Sequence, residues 1–198
     1  MTSEAIGAAA LAEFSAFGYR RASIEGIARR AQVSRATVYT HCSGKDELFR
    51  ALVSRLHDEH LAAMRDAADA PGLDIKSRIT RLLQARFLRF VELTSSSPHA
   101  AELYDRHGAL CGDTAEDAHR RAAKIITTVL RRATAAGEVD LGACGLTVGQ
   151  LAEVLNDCAS GAKGEDPAGA TPTEFTTRLG HSVAAIIAGI GPAAHRRC

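Results

Sequence analysis

An all-α fold is predicted for this 198-residue chain, and three observations predict it. Alanine and leucine are abundant while proline occurs only five times, so helical runs are seldom interrupted. Apolar residues, 46% of the chain, recur at helical spacing, and strand-like alternation is hard to find. Glycine, proline and serine signals then cut the chain into about nine helices.

The first helix runs from about Thr2 to Phe17, with Ile6, Ala10, Phe14 and Phe17 on one stripe and Gly18 as the stop. Ser23 caps a second, whose apolar positions are Ile24, Ile27, Ala28 and Ala31. Ser34 caps a short third helix, Arg35 to about His41, which Ser43-Gly44 ends. A long helix follows from Lys45 toward Met64, carrying Leu48, Phe49, Leu52, Val53 and Leu56 on one face. Beyond Ala70-Pro71-Gly72, a stripe from Ile75 to Val91 marks a fifth helix that stops at Ser95. A short helix from His99 to His107 and a longer one from about Thr114 to Ala136 come next. Thr147–Ser160 and Thr173–Ile190 complete the set, separated by Gly161–Pro172, which reads as a mobile loop. Three short helices therefore form an N-terminal unit, with a larger bundle behind.

Several classes fall away on composition. The apolar stretch from Ile6 to Leu11 is short and lacks a basic flank, so no signal peptide is expected. The run Val183–Ile190 is too short for a membrane span, and a cytoplasmic protein is the default. Five widely spaced cysteines, with no CxxC pair, give neither a disulfide framework nor a zinc ribbon. No metal or cofactor is expected. Nor does any nucleophile–base set, phosphate loop or matched carboxylate pair argue for an enzyme.

Net charge is +1, yet six basic residues and a single acid, Glu25, lie between Arg20 and Lys45. That local excess suits phosphate contacts. The same segment holds two short helices joined by a tight turn, the helix-turn-helix pattern, at about residues 23–42. Ile24, Ile27, Ala28, Val33 and Val38 face inward, which leaves Arg35, Ala36, Thr37, Tyr39 and His41 outward on the second helix. In a major groove those first turns meet base edges. Arg35 suits bidentate reading of guanine, and Thr37 suits a thymine methyl or a phosphate. Tyr39, His41 and Lys45 suit backbone phosphates, as do the N–H groups behind Ser23. Ser34 sets the start of the reading helix.

The stretch from Phe17 to Phe49 resembles the DNA-binding domain of the TetR family. It carries Gly18-Tyr19, Ser23-Ile24-x-x-Ile27-Ala28, Val33-Ser34-x-x-Thr37-x-Tyr39-x-His41 and Lys45-x-x-Leu48-Phe49. The resemblance covers about the first 60 residues at motif level. It implies a helix-turn-helix domain over 1–46 and an effector-binding and dimerisation domain over 47–198. It also implies a cytoplasmic homodimer that binds double-stranded operator DNA and is released, as a repressor, by a small-molecule effector. By analogy the last two helices form the dimer interface, and helices from Arg55 to Arg132 enclose a pocket; no membrane is involved. Phe87, Phe90, Tyr104 and His107 are the candidate pocket residues.

Three positions depart from the family pattern: no basic residue precedes the first helix, Gln32 replaces a turn glycine, and Cys42 replaces an aromatic residue. A left-handed Gln32 costs about 1 kcal/mol, and Cys42 loses core packing. The competing reading is a small-molecule or thiol sensor that keeps this fold with degraded DNA binding. Cys42 is its candidate thiol, and His107 with Cys111 a weaker candidate metal pair.

Overall fold

Eight α-helices and one 3-10 turn make up the computed structural model, which describes residues 2–164 and 170–190. In chain order these are α1 (Thr2–Arg21), α2 (Ile24–Arg30), α3 (Arg35–Tyr39), α4 (Lys45–Asp69), α5 (Ile75–Ser95) and α6 (Ala100–Ala135). The turn Leu141–Ala143, α7 (Val148–Ala162) and α8 (Pro172–Ile190) follow. Among the described residues there is no strand, and no helix is long and apolar enough to cross a membrane. Part of the loop expected at Gly161–Pro172, and Cys198, lie outside the described residues.

The N-terminal core is built around three rings. Ile6, Ala10 and Phe14 are buried on α1 as their spacing requires, but Phe17 is 41% exposed. Gly18 explains the difference: its φ of 72° and ψ of 173° break the spiral, a conformation open to glycine. The last turn then restarts, and Tyr19 takes the buried place expected for Phe17. Tyr19 lies parallel to Phe14 with centroids 5.7 Å apart, and both meet Phe49 edge-on at 5.3 and 5.2 Å.

Gly26 on α2 lies tight against Glu13 of α1. A Cβ there would overlap the carboxylate of Glu13, which is buried and held by Arg30 Nε at 2.6 Å. Ser23 and Ser34 cap α2 and α3, each hydroxyl accepting a backbone N–H, from Gly26 and Thr37, at 3.0 Å. Between the helices Gln32 is left-handed, with φ of 56°. Cys42 is buried against α3 and does contribute to this core, its thiol donating to the Val38 carbonyl at 3.6 Å.

Helix α4 serves two cores. Leu48, Phe49, Leu52 and Val53 pack with α1–α3, while Leu61, Met64, Ala67 and Ala68 pack with α5–α8. It extends to Asp69, beyond the expected Met64. Arg78 ties its end to α5, donating to the carbonyls of Ala68, Ala70 and Leu73 at 2.7, 2.8 and 3.1 Å. Thr147 with Gln150 and Thr171 with Glu174 form reciprocal caps that fix the starts of α7 and α8.

One expectation is corrected by this arrangement. The helices anticipated at His99–His107 and Thr114–Ala136 are a single 36-residue helix, α6, bent at Cys111 (φ −128°, ψ 18°). Gly108 and Gly112, which fall between the two anticipated helices, lie in open space and are carried through. Each costs about 1 kcal/mol against alanine, which burial on either side outweighs: Cys111 seals the N-terminal core, and Ala118, Ala122 and Ile126 the second. Among the described residues the helices therefore number eight.

Gly26→Ala is expected to destabilise the protein by about 2 kcal/mol despite the better helix propensity of alanine, because Glu13 cannot swing away without leaving Arg30. Denaturant melts check this. The Gly26→Ala penalty should shrink when measured in a Glu13→Ala background.

Candidate nucleic-acid interface and its linked cavity

Helix α3 is five residues long, and only Val38 on it is buried. Arg35, Ala36, Tyr39 and His41 are exposed, and Thr37 is half-buried with its hydroxyl 2.8 Å from that of Ser34. Around them Arg20, Arg21, Arg29 and Arg30 are also exposed, so the basic segment becomes a surface.

Arg35 is held across the helix pair. Its Nη1 lies 2.6 Å from Glu25 Oε1 on α2, and its Nη2 donates to the Tyr39 hydroxyl at 3.2 Å. The guanidinium also sits 5.4 Å from the centre of the Tyr39 ring. Both members of the Arg35–Glu25 pair are more than half exposed, so the pair contributes little to stability and is easily exchanged.

Lys45 is placed differently from the free phosphate ligand expected of it. Its ammonium donates to the carbonyls of Tyr19, Arg20 and Ala22 at 2.9, 3.2 and 3.2 Å and lies 4.7 Å from the Tyr19 ring centre. A cation at the end of α1 satisfies carbonyls that lack helical partners. Lys45 therefore clips the start of α4 to the end of α1. Tyr19 adds a second clip through its hydroxyl to Asp46, and burial with that bond raises its pKa to about 12. Ser23 acts as the cap of α2, and its hydroxyl is already engaged there.

Burial also pushes the Cys42 thiol up, the reverse of what thiolate chemistry needs. His107 and Cys111 part company at the bend in α6. The histidine lines a cavity, whereas the cysteine is buried in the N-terminal core.

That cavity, about 190 Å³, lies in the second unit and gathers all four residues singled out for a pocket: Phe87, Phe90, Tyr104 and His107. His57, His60, Leu61 and Met64 enter from α4, Arg86 from α5 and Ala118 from α6. Lys163, the residue following α7, was missed because it lies far outside Arg55–Arg132. The α4 histidines were missed as well, though their i, i+3 spacing on the face that leads to Leu61 and Met64 was a usable signal. His57 and His107 bring their Nε2 atoms to 3.4 Å.

The first half of α6 lies between cavity and helix-turn-helix. Tyr104 and His107 face the cavity, while Leu103, Leu110 and Cys111 pack on the N-terminal core. Arg106 stands 4.3 Å from the Tyr19 ring centre, and Glu102 accepts the Arg20 backbone N–H at 2.7 Å. Just before α6, the Ser97 hydroxyl donates to the Ser15 carbonyl at 2.9 Å.

Residues 6–52 match the model of the bacterial regulatory proteins of the tetR family. Over nearly the whole chain, the fold is similar to solved structures of regulators. A candidate TetR-family regulator from Mesorhizobium loti is 21% identical with a TM-score of 0.70, covering 96% of both chains. A transcriptional regulator from Rhodococcus sp. is 24% identical with a TM-score of 0.67, covering 96% of this chain and 98% of that one. SmeT, the repressor of a Stenotrophomonas maltophilia multidrug efflux pump, is 22% identical with a TM-score of 0.63, covering 98% and 93%. The chain thus carries a TetR-family helix-turn-helix domain at residues 6–52, mounted on the all-helical fold of TetR-type transcriptional regulators.

Proposed function

We propose that this protein is a cytoplasmic repressor that binds operator DNA as a homodimer and leaves it when a small molecule enters the cavity. The observation that carries this reading is the double engagement of α6, whose Tyr104 and His107 line the cavity while their neighbours grip α1 and Tyr19. A ligand that displaces either side chain acts on the helix that sets the angle of the helix-turn-helix. SmeT is itself a repressor, which supports the same sign of control.

In this reading Arg35 reads a base, Ala36 permits close approach, and Thr37, Tyr39 and His41 position the helix on phosphate. The N-terminus of α2 behind Ser23 adds a phosphate contact, and Lys45 holds the platform. Dimerisation uses α7 and α8, whose outward faces carry Val154, Ala185 and Ala188.

The test is titration onto the DNA flanking the protein's own gene, against scrambled DNA, at two salt concentrations. Sequence-selective binding that weakens with salt is expected, and Arg35→Ala with Tyr39→Ala should abolish it. No selective binding there or in a random-sequence library would sink the DNA-binding reading. Glu25→Gln should tighten DNA binding a few-fold at low salt, because it frees Arg35 and removes a negative charge facing phosphate; the gain should shrink at high salt. Val154→Asp should shift sedimentation toward the monomer and weaken operator binding in parallel.

A further inference from the structure

The cavity is charged in one sense only, and that narrows what it takes. Arg86 and Lys163 both line it, together with His57, His60 and His107, and among the described residues no carboxylate lines it. The nearest acids of α4 are turned outward to other partners: Glu59 to Arg55 at 2.7 Å and Asp58 to Arg121 at 3.0 Å. Glu165 and Asp166, just beyond Lys163, lie outside the described residues.

Neither cation has an acid partner among the described residues. Arg86 Nη2 comes within 3.4 Å of His119 Nδ1, and its Nε is buried without a hydrogen-bond partner. Lys163 Nζ lies over the rings of Phe87 and Phe90, 4.9 and 5.1 Å from their centres. Three buried side-chain polar atoms lack a partner among the described residues, and two of them, Arg86 Nε and His60 Nε2, belong to the lining of this one cavity. A desolvated guanidinium with an unused N–H is costly unless an anion completes it.

The titration behaviour agrees with a positive field. Burial lowers His57 to about 4, with the nearby His107, His60 and Arg86 lowering it further, against a small opposing pull from Asp58. His60, His107 and Lys163 are lowered as well, burial first; Lys163 adds to the shift of His107 and Arg86 to that of Lys163, while at His60 the pull of Glu59 opposes Arg86 and Arg89. Arg86, brought down by burial to about 10, keeps its charge at neutral pH.

The rest of the lining is apolar: Leu61, Met64, Phe87, Phe90 and Ala118. At about 190 Å³ the space falls below the range of drug-sized sites, roughly 300–1,000 Å³. We infer that the effector is a small amphipathic organic acid, its carboxylate held by Arg86 and Lys163 and its single-ring or short-chain body lodged among Leu61, Met64, Phe87 and Phe90. A carboxylate pairs with the fork of a guanidinium through two parallel N–H donors. The two phenyl rings beneath Lys163 favour a flat or extended body over a bulky one. This inference rests on the cavity being the effector site.

The experiment is calorimetric titration of the full-length protein, without DNA, by benzoate, 3-phenylpropanoate, hexanoate and octanoate. Each acid is matched by its amide, and phenyl phosphate is run in parallel. Acids are expected to bind at least about tenfold more tightly than the amides, in line with a charge-assisted hydrogen bond. Arg86→Met and Lys163→Met should each remove most of that preference while the circular dichroism spectrum stays unchanged. Equal binding of acids and amides, preference for the amides, or binding of phenyl phosphate alone would overturn the carboxylate assignment. So would binding of none of the compounds. A separate gel-shift arm adds the same acids to the protein–DNA complex. Acids that bind but do not release DNA would leave the anion site standing and refute the effector reading instead.

Discussion

The molecule depends on the first half of α6 being engaged on two sides, although much of its surface between them is open to solvent. A helix held on one side is free to slide; one held on two takes its position from both. Here one side is the Phe14–Tyr19–Phe49 cluster with Arg106, and the other is the cavity wall at Tyr104 and His107. The bend at Cys111 lets one continuous helix satisfy both, since the second half turns to seal a different core. Two cores that share α4 and α6 cannot repack independently.

Charge is partitioned along the same line. Outside, Arg35 and Arg20 of the helix-turn-helix surface meet Glu25 and Glu102 in solvent-exposed contacts, whereas Arg30 is held at 2.6 Å by the buried Glu13. Inside the second unit, positive groups are collected without acids among the described residues. The first arrangement suits a polyanion that arrives from solvent and replaces weak partners. The second suits a single anion that leaves water altogether.

The N-terminal unit was legible because its signals are local. Ser23 and Ser34 cap what they precede, and Ile24, Ile27 and Val38 are buried at the spacing that predicts it. What was missed there depended on three dimensions. Gly18 redirects the chain so that Tyr19, not Phe17, enters the core, and Lys45 reaches back across more than twenty residues to the end of α1. In the second unit the aromatic and histidine candidates on α5 and α6 do converge on one cavity. Their company from α4 and the end of α7 was not legible, because no periodicity records which helices become neighbours. The break expected between His107 and Thr114 failed for a related reason: glycine weakens a helix locally, and tertiary burial on both flanks overrode it.

Helix α4 has a further consequence, which is mechanical. Its thirteen residues from Lys45 to His57 form a stiff arm of about 18 Å. One end lies in the cavity wall, and the other is clipped by Lys45 to the carbonyls of α1. A tilt of about 5° pivoting at His57 carries the clipped end, and the reading helix with it, roughly 1.5 Å. In the proposed dimer the same tilt in both arms would change the separation of the two α3 helices by up to about twice that. Under the proposed function, a rearrangement no larger than a side-chain rotamer in the cavity would thus be geared up to a distance that a phosphate contact cannot span.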